Sequence, residues 1–176
     1  MRTPPTEETV NAVLPSVLRS FDPRQVPVVG VDTALPAVPD THFAAQALRA
    51  RFAAPPAWAP ELRHEPQLTS RTPAAAAVLV PIVMREEPTV LLTERTANLS
   101  THSGQVAFPG GRVDPEDANV AAAALREAWE EVGLSAEYIE ILGKLPTYTT
   151  VTSFIVTPVV GLVPVSYTHL TLPTKA

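Results

Sequence analysis

Hydrophobic positions recur at helical spacing in the first third of the chain and run in strand-length blocks beyond it. Over residues 6–21, Val10, Val13, Leu14, Val17, Leu18 and Phe21 fall on one helical face, with Thr6 as N-cap. Pro15 inside that pattern predicts a kink or a shortened helix. Residues 22–39 are rich in Pro and Val and predict an extended connector. Residues 41–54 predict a second helix that buries Phe43, Ala44, Leu48 and Phe52. Residues 55–73 read as a linker anchored by the packing of Trp58.

From Ala74 the pattern changes to strands. Residues 75–84 form an apolar run of strand length, and Pro81 places it at or near a sheet edge locally. A turn at 85–88 leads to a returning strand at 89–94, a polar loop at 98–103 and a short strand at 105–108. A helix is expected from about Asp117 to Gly133, followed by strands at 138–145 and 153–162 around the loop TYTTVT. Strands, one long helix, then strands again predict a mixed sheet with a helix packed on it.

That helix carries the candidate chemistry. At about 100° per residue, with Glu127 at zero, Glu131 falls at roughly +40° and Glu130 at roughly −60°. Three carboxylates therefore share a face. Ala121, Leu125, Ala128, Trp129 and Val132 fall between roughly 100° and 200° and predict the packing face. Gly133 stands where a left-handed turn ends a helix. Like charges at this spacing repel, and Arg126 offsets only part of that. A hard cation with oxygen ligands offsets more, and Mg²⁺ binds through a few carboxylates, waters and substrate phosphates. A lone string of this kind is more often a plain solvated face. The upstream Gly110-Gly111 pair and the acids Asp114, Glu116 and Asp117 favour a metal site.

Composition narrows the class. With 176 residues and 45% apolar content, the chain has room for one domain and an extension. A net charge of −5 argues against a general nucleic-acid surface. The absence of cysteine excludes disulfides and thiolate metal sites. The longest apolar run, 74–84, is too short to span a bilayer. MRTPPTEETV has acids and prolines where a signal peptide needs an apolar core, so a cytoplasmic protein is expected.

The segment FPGGRVDPEDANVAAAALREAWEEVGL resembles the box of the Nudix hydrolases: a glycine, an acid, Arg-Glu, an apolar residue, any residue, Glu-Glu, any residue, glycine, and an apolar residue. Those positions are Gly111, Asp117, Arg126, Glu127, Ala128, Trp129, Glu130, Glu131, Val132, Gly133 and Leu134. The first acid is aspartate rather than glutamate, one extra residue separates it from Arg126, and the apolar slot holds only Ala128. These variations are similar to those of the coenzyme A pyrophosphatase branch. The preceding segment, LLTERTANLSTHSGQVAFPGG, resembles that branch's own signature, with Ser100 where an arginine is often found.

The resemblance implies an α/β (α+β) Nudix fold, a mixed β-sheet in an α/β/α sandwich. It implies hydrolysis of the pyrophosphate bond of coenzyme A or acyl-CoA with Mg²⁺ or Mn²⁺, giving 3′,5′-ADP and 4′-phosphopantetheine. Glu127 and Glu131 are the expected metal ligands and Glu130 a further ligand or the water-orienting base. Which carboxylate is the base stays open. Gly110 and Gly111 shape the substrate-binding turn, and Arg126 holds the helix through an acid or a loop carbonyl. Arg95 either binds a substrate phosphate or forms a surface ion pair with Glu94 or Glu87. His102 either bonds a phosphate or orders its loop. Asp117 is a loop acid or a plain N-cap. The alternatives are a Nudix hydrolase of another nucleoside diphosphate, such as ADP-ribose, and a non-catalytic nucleotide-binding fragment.

The expected organisation is an extension at 1–73, a Nudix domain at 74–164 and a non-native tail at 165–176. The string VSYTHLTLPT resembles the translation of a sequencing-library adapter, GTC TCT TAT ACA CAT CTG ACG CTG CCG ACG. On that reading the fold is C-terminally truncated and lacks a closing helix. No acid follows Glu140 to supply a carboxylate from beyond the box.

Overall fold

The computed structural model describes residues 25, 27–31, 34, 36–60, 72–94 and 105–164. The expected helix at 6–21, Arg95, His102, the loop at 98–103 and the tail at 165–176 lie outside the described residues, as does most of the linker at 55–73. The chain divides into two units, Met1–Ala37 and Val38–Ala176. In the first, Val28, Val29 and Val31 are exposed.

The second unit is built on two long neighbouring strands, β1 (Ala74–Met84) and β8 (Phe154–Pro164). They pair in parallel over their whole length, Ala74 opposite Phe154 and Met84 opposite Pro164. Both strands read as nearly continuous apolar runs, as strands buried on both faces do. β2 (Thr89–Val90) and β5 (Gly110–Arg112) pair antiparallel with the free side of β1. β6 (Glu140–Lys144) and β7 (Tyr148–Thr149) pair antiparallel with the free side of β8. The expected strand at 89–94 is interrupted. Its second half, β3 (Thr93–Glu94), pairs with β4 (Val106–Ala107) as a separate two-stranded sheet.

β1 is central rather than an edge strand. Pro81 is tolerated because the side of β1 on which it lacks an N–H lies beyond β5 and at the end of β2. There Leu91 N donates to Pro81 O, and only the return bond is missing.

Parallel neighbours need a crossover, and α2 (Val120–Val132) lies within it. It packs Ala123, Ala124, Ala128 and Val132 against Ala77, Leu79, Val159 and Val163, with Leu134 beside them. The face is the predicted one in part: Ala128 and Val132 are buried and Ala121 packs beside them, but Trp129 is 57% exposed, and Ala123 and Ala124, not expected on this face, are fully buried. Three alanines let the helix backbone come close to the sheet, which bulkier Leu125 and Trp129 would prevent. The rotation turns the edge that carries Glu127 and Glu131 toward β5. The helix starts at Asn119, later than expected. The Asn119 Oδ1 accepts from Ala121 N and Ala122 N at 2.9 and 3.1 Å. It ends as expected at Gly133, which adopts φ 66°, with Leu134 N donating to Ala128 O.

α1 (Ala45–Ala53), preceded by a 3-10 turn at Asp40–Phe43, contacts β6. A Cβ on Gly143 would stand 2.9 Å from the Phe52 ring. Arg49 donates to both carboxylate oxygens of Glu140, at 2.7 and 2.6 Å. Gly143 pairs with Val160, which alternates with the α2-facing Val159. α1 therefore lies on the opposite face of the sheet, and the layers run helix, mixed sheet, helix. No α1 residue is fully buried; Phe43 is 43% exposed and Ala44 is exposed, against expectation.

Candidate active site

The site forms where β5 meets α2. Gly110 and Gly111 pair with Val78 and Ala77, so the turn lies directly on β1. A Cβ on Gly110 would collide with the β1 backbone, and one on Gly111 would collide with the Glu127 carboxylate. The second glycine thus leaves room for an acid against the main chain. Glu131 Oε2 accepts from Gly110 N at 3.3 Å. Both carboxylates sit by the turn, and the Glu127 side chain is only 17% exposed.

Arg126 ties the acidic loop to the helix. Its Nε and Nη2 donate to the two oxygens of Asp117 at 3.1 and 3.0 Å. Nη2 also donates to Arg112 O at 3.0 Å and lies 3.3 Å from Asp114. Nη1 donates to Glu127 Oε1 at 2.9 Å and lies 3.6 Å from Glu130. One guanidinium therefore joins an acid and a loop carbonyl, both of the partners expected for it. Asp117 is a loop acid and not the helix cap. Its carboxylate also accepts from Asp114 N at 2.8 Å, and its side chain is 6% exposed. The Arg126 hydrogen bond, then the Asp114 amide, hold its pKa below the ordinary value, against the opposing effect of burial. The same hydrogen bond to Asp117 pushes the Arg126 pKa further up, so its charge is permanent.

Of the six residues singled out from sequence, Glu127, Glu131, Gly110 and Gly111 meet at one place. Glu130 is turned outward toward Arg126 and is 44% exposed. Arg95 lies outside the described residues. Among the described residues no three His, Cys, Asp or Glu side chains converge as an assembled metal cluster. The donor set nonetheless suits a hard divalent cation, because it is all carboxylate oxygen beside a turn with no side chain to shield it. Sequence reasoning missed Asn119 as the cap, though an Asn just before the first helical residue was a usable signal. It also missed Arg112, whose guanidinium carbon stands 5.5 Å from the Phe154 ring centroid. No local pattern links residues so far apart in sequence.

A helix seated on a mixed sheet thus presents acids to a glycine turn, beside a loop tied down by Arg126. The NUDIX domain family matches residues 73–173, more than half of the chain, and the chain belongs to that family. It is 55% identical over 101 residues to the "Uncharacterized Nudix hydrolase NudL" of Klebsiella aerogenes, covering 57% of this chain and 82% of that protein. It is 58% identical over 89 residues to the protein of the same name from Enterobacter sp. (strain 638), covering 51% and 46%. The chain spans about half the length of most of the curated relatives it matches. A crystal structure of a Nudix hydrolase from M. smegmatis, RenU, is similar at 25% identity, covering 53% of this chain and 63% of that one, with a TM-score of 0.44. Among the described residues no helix is long and apolar enough to cross a membrane.

Proposed function

We propose that this protein hydrolyses the pyrophosphate bond of coenzyme A or acyl-CoA, releasing 3′,5′-ADP and (acyl-)4′-phosphopantetheine. The observation that carries the chemistry is the placement of Glu127 and Glu131 against the Gly110-Gly111 backbone. The choice of coenzyme A rests on the resemblance of LLTERTANLSTHSGQ to the coenzyme A branch.

Glu127 and Glu131 would hold Mg²⁺ or Mn²⁺, and Glu130 would serve as a further ligand or as the base. When bound, the ion supplies charge neutralisation on phosphate oxygens and acidifies water. The protein's own part is positioning. Arg126 keeps Glu127 beside the turn through Oε1 and draws Glu130 toward the same side of the helix. Gly111 leaves that carboxylate unshielded. The Gly110 amide orients Glu131. Glu130, the more exposed of the two helix acids beside Arg126, would face water or a bound ion, and which carboxylate serves as the base stays open.

The test is product analysis after incubation with Mg²⁺ and either coenzyme A or ADP-ribose. The reading predicts equal amounts of 3′,5′-ADP and 4′-phosphopantetheine from coenzyme A, abolished by a chelator and restored by added metal. Turnover of ADP-ribose with coenzyme A left intact would reject the substrate assignment.

A further inference from the structure

The end of α1, the segment that follows it and the end of β6 line a groove of about 750 Å³. Its apolar walls are Phe52, Trp58 and Leu145, and the last two stay 66% and 42% exposed. Because Gly143 has no side chain, the Phe52 ring lies close against β6. None of the lining residues belongs to the site at Gly110, Gly111, Glu127 and Glu131.

Two cations join the apolar lining, Arg51 in the last turn of α1 and Lys144 at the end of β6. Among the described residues neither has an ion pair. Glu140, the acid on β6, does not compete for them, because Arg49 holds both of its oxygens. Two free positive charges beside one apolar groove stand out in a chain of net charge −5.

The lining also restricts the ligand. Arg51, Lys144 and the Trp58 indole carry its side-chain donors, and no side chain in it accepts a hydrogen bond. Pro55, Pro56 and Pro146 add no backbone N–H. A peptide or a nucleobase would bring N–H groups that these side chains leave unpaired, which costs free energy. An apolar body with an anionic head brings acceptors alone. The volume lies within the roughly 300–1,000 Å³ of sites for small organic ligands.

We propose that this groove binds a free apolar carboxylate of the medium-chain fatty acid type, with its head on Arg51 and Lys144 and its hydrocarbon against Trp58, Phe52 and Leu145. The inference goes beyond the proposed hydrolysis and does not rest on it.

The experiment titrates the full chain with decanoate, kept below micelle formation, and with uncharged decanol, by calorimetry. The same titrations are made on the Arg51→Ala/Lys144→Ala double variant and on Trp58→Ala. Saturable decanoate binding is expected in the parent, with a Kd higher by about 5- to 30-fold in the double variant, as two partly exposed charge contacts are lost. Decanol binds the parent more weakly than decanoate does, and binds the double variant as it binds the parent. Trp58→Ala weakens both ligands. Both cations are exposed, so the melting midpoint of the double variant stays that of the parent. No saturable decanoate binding by the parent, or the same Kd in the double variant, would overturn the inference. Binding of an acidic octapeptide or of anionic lipid vesicles with monomeric decanoate excluded would overturn it as well, in favour of a protein or a membrane.

Discussion

Two residues set the character of the site, and each works by what it allows near it. Gly111 allows a carboxylate to rest against the main chain. Arg126 allows four acids to gather, because its fixed charge offsets the repulsion among Asp114, Asp117, Glu127 and Glu130. The pairing has a pH signature. The Asp117 pKa is lower in the folded chain than its ordinary value of 3.8. Its ion pair therefore stabilises the fold above that value and loses its effect as pH falls through the depressed one. Urea melts of the parent and of Asp117→Asn should differ at neutral pH, with the parent the more stable, and the gap should close only in acid below the ordinary aspartate range. A gap that is constant with pH would remove the ion pair from the account. The Arg126 anchor and the position of the two glycines beside the acidic helix could be read in advance because the box spacing names them. Arg112 could not, since its partner is Phe154, on a strand that follows the whole crossover.

α2 explains both the success and the failure of reading elements from pattern. Its period, its glycine stop and its clustered acids are local properties. Its orientation is not, because Leu125 and Trp129 dominate the apolar pattern but the helix packs through Ala123, Ala124 and Ala128. Close approach to the sheet outweighs side-chain size, and as a result Glu127 faces β5 instead of solvent. The cap at Asn119 closes the start of this helix. Asn119→Ala should lower stability by about 1 kcal/mol, measured by urea denaturation, through two amides left without their acceptor. No change would mean that Asp117 and Arg126 hold the helix start by themselves.

In the whole molecule, the apolar runs at 75–84 and 153–162 announce buried strands, and the structure extends them to β1 and β8. That they are neighbours, and parallel, is a pairing of distant segments that no periodicity encodes. The parallel pairing brings the acidic helix and the glycine turn together, since α2 lies in the crossover and β5 lies against β1.

The measurement that bears most directly on this account is coenzyme A hydrolysis with Mg²⁺ and with Mn²⁺, by the parent chain and by Glu127→Gln and Glu131→Gln. The account predicts metal-dependent turnover in the parent and a loss of about a hundredfold or more in kcat/KM for each variant, as expected when several kcal/mol of metal-derived stabilisation is removed. Turnover that persists in both variants, or that survives full chelation, would contradict it.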